Sequence, residues 1–284
     1  LAAQAARRCG ELESADRHLV LAAKLGVPRD AFIAEQNFLA IQTGDLSGAG
    51  PLMQLCEDRP ESAETALALE AIIEGSLKML QLPLAKASIE FWLKHRTRKF
   101  DQARGLVWKG RLQMFAMNLP GAVADLRQAV ELAPDYVPGR LMLVEALLRD
   151  DPRQALPHLN WLNQRQPNDV EIRLQTARAR RNLAEPEEAG KILDDILIAQ
   201  PKNVAALIER GRVALDLNRP DDAKRWLLSA YEIAPNQRDV LLALSDCSRQ
   251  MNLLDDAKRY RDQAQEIEDR LLKQLGHMTG RAQR

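Results

Sequence analysis

Apolar and polar positions alternate along this chain with a helical period, set inside a longer period of about 34 residues. The clearest unit runs from Ala103 to Tyr136, where Gly110 is followed by Ala122, Leu126, Ala129 and Pro134 at offsets of 12, 16, 19 and 24. Two later units carry the same skeleton: Ala177, Ala189, Leu193, Ile196 and Pro201, then Gly211, Ala223, Leu227, Ala230 and Pro235. One alanine recurs through the whole chain at Ala15, Ala49, Ala85, Ala122, Ala155, Ala189, Ala223 and Ala257, with spacings of 34, 36, 37, 33, 34, 34 and 34. The pattern predicts about eight hairpins of two antiparallel helices, with the recurring alanine near the start of each second helix.

The residue types fit that geometry. Gly110, Ala177, Gly211 and Ser245 are small where two helices must approach closely, and Leu126, Leu193 and Leu227 fill the space beside them. Pro134, Pro167, Pro201 and Pro235 end second helices, because proline lacks an N–H and restrains the residue before it. Asp135, Asn168, Asn203 and Asn236 follow, as suits turns and helix starts. Pro83, Pro120, Pro152, Pro186 and Pro220 can open second helices, where a missing N–H costs little.

Departures from the pattern divide the chain. Residues 1–102 read as three degenerate hairpins, the first cut short, since only Leu1 to about Cys9 precede its turn. Bulky Asn37 takes the small position of the second. The third lacks the closing proline, and its second helix runs into His95-Arg96-Thr97-Arg98-Lys99, an expected irregular joint. Residues 103–237 hold four well-formed repeats. In 238–275 a repeat ends in a polar capping helix from about Asp255 to Leu275, where Arg261 and Asp269 replace the apolar residue and the proline. The tail 276–284 is expected to be disordered. The chain starts at Leu1, not methionine, so the native protein is expected to extend further.

The small residue–Ala–large apolar–Ala–Pro skeleton resembles the tetratricopeptide repeat (TPR) family, strongly from Ala103 to about Ala264 and more weakly before it. The resemblance implies an all-α, right-handed superhelical solenoid whose first helices line a concave groove. Counting each unit from Ala103, Val137, Val170, Val204 and Arg238, positions 4, 7, 8 and 11 face the partner helix and position 5 lies on the opposite side. Position 5 reads Val107, Leu141, Leu174, Ile208 and Leu242, and position 9 reads Arg111, Glu145, Arg178, Arg212 and Asp246. Met114, Leu148 and Leu215 add position 12. An apolar stripe beside charges suits an extended peptide or a partner helix. Equally, position 5 can pack between neighbouring first helices. The Lys and Asn clamp of chaperone-binding members is missing at these positions, which disfavours a chaperone co-factor of that type.

Composition narrows function. Forty basic and forty acidic residues cancel, and aromatics are only 4%, which argues against nucleic acid. No apolar run approaches the roughly 18 residues of a membrane span. Cys9, Cys56 and Cys247 fall in no metal or redox spacing. His18, His95, His158 and His277 are scattered, and no nucleotide, zinc-protease or CxxC motif occurs. Glu187-Glu188, Asp221-Asp222 and Asp255-Asp256 sit where helix starts favour negative charge. Trp92, Trp108, Trp161 and Trp226 suit packing better than a binding cage. Two basic clusters, Arg173/Arg178/Arg180/Arg181 and Arg96/Arg98/Lys99, read as solvated faces or as sites for an anionic partner.

No catalytic, metal or cofactor site is expected. The chain reads as a protein-interaction scaffold or adaptor for a protein or peptide, acidic and amphipathic in character, with self-association expected through the uncapped first hairpin. The alternative is an interaction module of a larger enzyme of the glycosyltransferase or kinase type. Compartment stays open, the cytoplasm slightly favoured over export.

Overall fold

The computed structural model describes residues 1–281, and among them every regular element is helical. The chain divides into two compact units, one built on Leu1–Asp135 and the other on Tyr136–His277. The division falls inside the stretch that the repeats mark as one array, 103–237.

Each unit holds four hairpins. In the first they are α1 (Ala2–Arg8) with α2 (Leu12–Lys24), α3 (Arg29–Thr43) with α4 (Ala49–Asp58), α5 (Ala63–Lys78) with α6 (Leu82–His95), and α7 (Lys99–Phe115) with α8 (Leu119–Leu132). A short 3-10 turn, Leu46–Gly48, precedes α4. In the second they are α9 (Val137–Asp150) with α10 (Pro152–Arg165), α11 (Val170–Asn182) with α12 (Pro186–Ala199), α13 (Val204–Asp216) with α14 (Pro220–Ile233), and α15 (Arg238–Gln250) with α16 (Leu254–Arg281). Within the second unit the first helices of successive hairpins touch: α9 with α11, α11 with α13, and α13 with α15.

All eight repeat alanines are buried in the second helix of their hairpin. The small residues act as the sequence predicts. A Cβ added to Gly110 would lie 2.6 Å from Leu126 Cγ, and one added to Gly211 would lie 2.6 Å from Leu227 Cγ. Ser245 uses its small polar side chain differently, donating to the carbonyl of Ala257 at 2.8 Å. Leu126, Leu193 and Leu227 are fully buried, each contributing about 1.5–3 kcal/mol relative to exposure.

Hairpin turns share one solution. One or two residues after the first helix the chain adopts a left-handed conformation, at Gly10, Gly44, Leu80, Met117, Ala184, Asn218 and Asn252. The next amide then reaches back to the last helical turn, as in Gln81 to Ser76 O, Asn118 to Gln113 O and Arg219 to Ala214 O. The fifth hairpin departs. There Asp151 caps α10 by accepting from the Arg153 amide, and Pro152 occupies the first turn. A hydrogen bond from the Gln154 side chain is the main reason its carboxyl sits below the usual range.

Two segments outside the regular repeat gain detail. α6 stops at His95, and the joint is the ordered three-residue link 96–98. Arg96 donates to the carbonyls of Glu61 and Ser62, and Gln102 Nε2 donates to Leu93 O at 2.7 Å and to Arg96 O. The longer spacing of 37 is taken up by α7, which has 17 residues where α11, α13 and α15 have 13. At the C-terminus α16 is described through Gly276 to Arg281, a segment that contains no proline to stop it. Residues 282–284 lie outside the described part.

Candidate functional site

The residues predicted to line a groove separate into two kinds. Val107, Leu174 and Ile208 are buried, at 7%, 3% and 4% exposure. Leu174 and Ile208 belong to the core of the second unit, so at these positions the apolar stripe packs between first helices. Leu141 and Leu242 keep part of their surface open, as do Leu148, Leu215 and, in the first unit, Met114.

The position-9 charges are engaged within the chain. Arg178 Nε donates to Glu209 Oε1 at 3.0 Å, and Arg212 Nη1 donates to the same oxygen at 2.8 Å. Arg181 Nε lies 3.5 Å from Glu209 Oε2 and pairs also with Asp216. Glu209 itself is 2% exposed, so one buried carboxylate gathers three arginines from two successive first helices. Arg173 pairs with Asp195 and Arg180 with Glu185, so all four arginines of α11 have acidic partners. Glu145 and Asp246 pair on their own helices, with Arg149 and Arg249.

The first unit holds a second charge cluster, on α1, α3, α5 and α7. Arg7 Nε donates to Glu35 at 2.5 Å and its Nη1 to Gln42 at 3.0 Å. Arg8 grips both oxygens of Glu70, at 2.9 and 3.1 Å, and Arg104 Nη1 reaches Glu70 Oε1 at 2.6 Å. Glu74 accepts from the Trp108 indole at 2.8 Å and from Arg111 at 2.7 Å. Hydrophobic periodicity does not reveal this cluster. The readable signal is an opposite charge one repeat away, as at Glu70 and Arg104, 34 residues apart.

The remaining candidates behave as packing. Trp92 is fully buried, donates to Asp101 O at 2.7 Å and stands edge-on to Trp108. Trp161 lies beneath the guanidinium groups of Arg140 and Arg165, and Trp226 beneath that of Arg210. Glu187-Glu188, Asp221-Asp222 and Asp255-Asp256 fall in the first turns of α12, α14 and α16. His18 is exposed, and His158 Nδ1 is 3.0 Å from Arg140 Nη1. Burial pushes the thiols of Cys56 and Cys247 above their usual pKa, whereas Cys9 is exposed. Among the described residues no group of three or more His, Cys, Asp or Glu could hold a metal ion, and no helix is long and apolar enough to cross a membrane. An open cleft of about 980 Å³ between α2 and α3 is lined by Leu12, Leu19, Val20, Phe32 and Leu39 among others.

No family model matches the chain, and no curated protein matches it. Solved structures do. A tetratricopeptide repeat protein from Parabacteroides merdae ATCC 43184 aligns over 90% of this chain and 96% of its own, with TM-score 0.57 and 14% identity. TTC0263, a thermophilic TPR protein in Thermus thermophilus, aligns over 63% of this chain and 98% of its own, with TM-score 0.52 and 20% identity. YrrB, described as a TPR protein with an unusual peptide-binding site, aligns over 68% of this chain and 97% of its own, with TM-score 0.50 and 19% identity. Helical hairpins, buried repeat alanines, glycine-to-leucine crossings and these likenesses agree: the chain has the fold of the tetratricopeptide repeat proteins.

Proposed function

We propose that the chain is a protein-interaction scaffold, and that the exposed side of α9, α11, α13 and α15 receives a peptide or a partner helix. The observation that carries this is the partial exposure of Leu141, Leu148 and Leu242 on first helices whose neighbouring apolar positions, Leu174 and Ile208, are buried. Apolar side chains held half open beside charged ones supply contact area for affinity and charge for selectivity. The peptide-binding site attributed to YrrB lends support by likeness of fold. With the arginines already engaged by Glu209, Asp195, Glu185 and Asp216, acidic residues of a ligand contribute steering more than contact in this unit.

The test is capture of partners with the purified chain as bait, identified by mass spectrometry, alongside Leu141→Glu with Leu242→Glu. The double variant should keep its circular dichroism and lose the proteins that the native chain retains. Equal retention by a folded double variant refutes this surface as the site.

A second proposal concerns self-association. Val20, Leu21, Leu25, Val27 and Ile33, on or between α2 and α3, are all at least 40% exposed, an apolar grouping that a second copy can cover. Sedimentation that stays monomeric at high concentration refutes it.

A further inference from the structure

The open cleft of about 980 Å³ in the first unit is walled by α2 and α3. Two turns of a helix about 10 Å across occupy roughly 850 Å³, so the cleft has room for one more helix lying along α2. Glu13, Asp16, Arg17, Val20, Ala23 and Lys24 all line it, and all are exposed. At about 100° per residue the six fall on one face of α2, within about 60° of Val20. The four charged residues that line the cleft are therefore all on this face, because the α3 side supplies Phe32, Gln36, Leu39, Ala40 and Thr43. Among the described residues none of these four has an ion-pair partner, whereas the arginines of α11 all have one.

The four charges sum to zero, yet they are ordered along the helix. Glu13 and Asp16 lie towards its start, with Glu11 just before it, and Lys24 ends it. Of the charges close by, Arg29 and Asp30 at the start of α3 are opposite in sign, and His18 lies on the far side of α2. A second α2 laid parallel to the first would set acid on acid. Laid antiparallel, with Val20 level with its own copy, it sets Asp16 level with the partner's Lys24, since each is four residues from Val20. Glu13 then lies within a turn of that lysine. Arg17 comes level with the partner's Ala23 and has Glu13 one turn back on its own helix to offset the partner's Lys24. Val20 and Ala23 supply apolar contact along the pairing, and the exposed Leu21 and Val27 flank it.

We propose that a second copy of the chain covers this cleft by an antiparallel, twofold pairing of α2 with α2, with Val20 near the axis and Glu13 and Asp16 of each copy facing the partner's Lys24. The proposal rests on the self-association reading above and gives it a geometry.

The test uses the whole chain in analytical ultracentrifugation, with circular dichroism to establish that each variant is folded. One variant carries Glu13→Lys with Asp16→Lys, and the other carries Lys24→Glu. Each sets like charges across the pairing, so each should self-associate about tenfold or more weakly than the native chain. Mixed in equal amounts, the two restore opposite charges at both ends and should associate with each other about as tightly as native copies do. If the double-lysine variant does not fold, Asp16→Lys alone against Asp16→Lys with Lys24→Glu in one chain gives the same comparison, because in a twofold pair the second change restores what the first removes. A native chain that stays monomeric at high concentration overturns both this pairing and the self-association reading. A native chain that associates, but whose folded variants associate equally well or do not recover on mixing, overturns the pairing alone.

Discussion

Two glycine-to-alanine substitutions in the same unit should change stability in opposite directions. Both positions are helical and buried, Gly190 on α12 and Gly211 on α13, so each gains the same intrinsic helix preference, about 1 kcal/mol for Ala over Gly. They differ in what the new methyl meets. At Gly190 it finds Val213 Cγ1 at 3.6 Å and Arg210 Cζ at 3.8 Å, ordinary contact distances, so Gly190→Ala should stabilise by roughly 1 kcal/mol. At Gly211 it would lie 2.6 Å from Leu227 Cγ, 2.7 Å from Cδ2 and 3.3 Å from Cδ1. Leu227 is fully buried and cannot swing away without displacing its neighbours. Overpacking of this kind costs about 1–3 kcal/mol, which outweighs the helix gain, so Gly211→Ala should destabilise by up to about 2 kcal/mol. Urea unfolding of both variants against the native chain measures the difference. Leu227→Ala supplies the control: it should lose stability alone, yet largely remove the penalty of Gly211→Ala when the two are combined. If Gly211→Ala is as stabilising as Gly190→Ala, the close helix crossing is not what makes glycine necessary there.

Met117 sits in the left-handed region at φ 58° with its side chain 88% exposed, so Met117→Gly should stabilise by about 1 kcal/mol in thermal or urea unfolding. A thiol reagent at pH 8 should modify Cys9 quickly and Cys56 and Cys247 slowly, because burial shields the latter two and keeps them protonated. Since their folded pKa values are raised, the stability they confer should be full below the usual thiol pKa and fall as pH rises above it, which unfolding at stepped pH will register. Glu209→Gln should destabilise by about 2 kcal/mol, read by urea unfolding, because Arg178, Arg181 and Arg212 would lose the one buried charge they share.

The repeat was legible because its physics is local. Alanine at Ala122, Ala189 and Ala223, glycine at Gly110 and Gly211, and the prolines that open second helices are demanded by a single hairpin, and they recur wherever the hairpin does. The end of α16 was less legible: glycine at Gly276 and Gly280 weakens a helix but does not forbid one. The hairpin turns were harder still. Five of them place Leu80, Met117, Ala184, Asn218 or Asn252 in a left-handed conformation that favours glycine, so residue type marked the turn poorly. Burial at position 5 depends on how closely one hairpin approaches the next. Val107, Leu174, Ile208 and Leu141 are all apolar, yet only Leu141 stays partly open.

The charged side chains show why apolar periodicity was a poor guide to the inner surface. Glu209 and Glu70 are each buried, and each is surrounded by arginines that belong to other hairpins as well as, for Glu209, its own. A buried carboxylate without partners would be severely destabilising, so each one commits its arginines. An arginine that neutralises a structural carboxylate is then poorly placed to recognise a ligand as well. Arg178 and Arg212 therefore hold successive first helices in register through Glu209, and reversing their charges would set three carboxylates together rather than probe a binding groove.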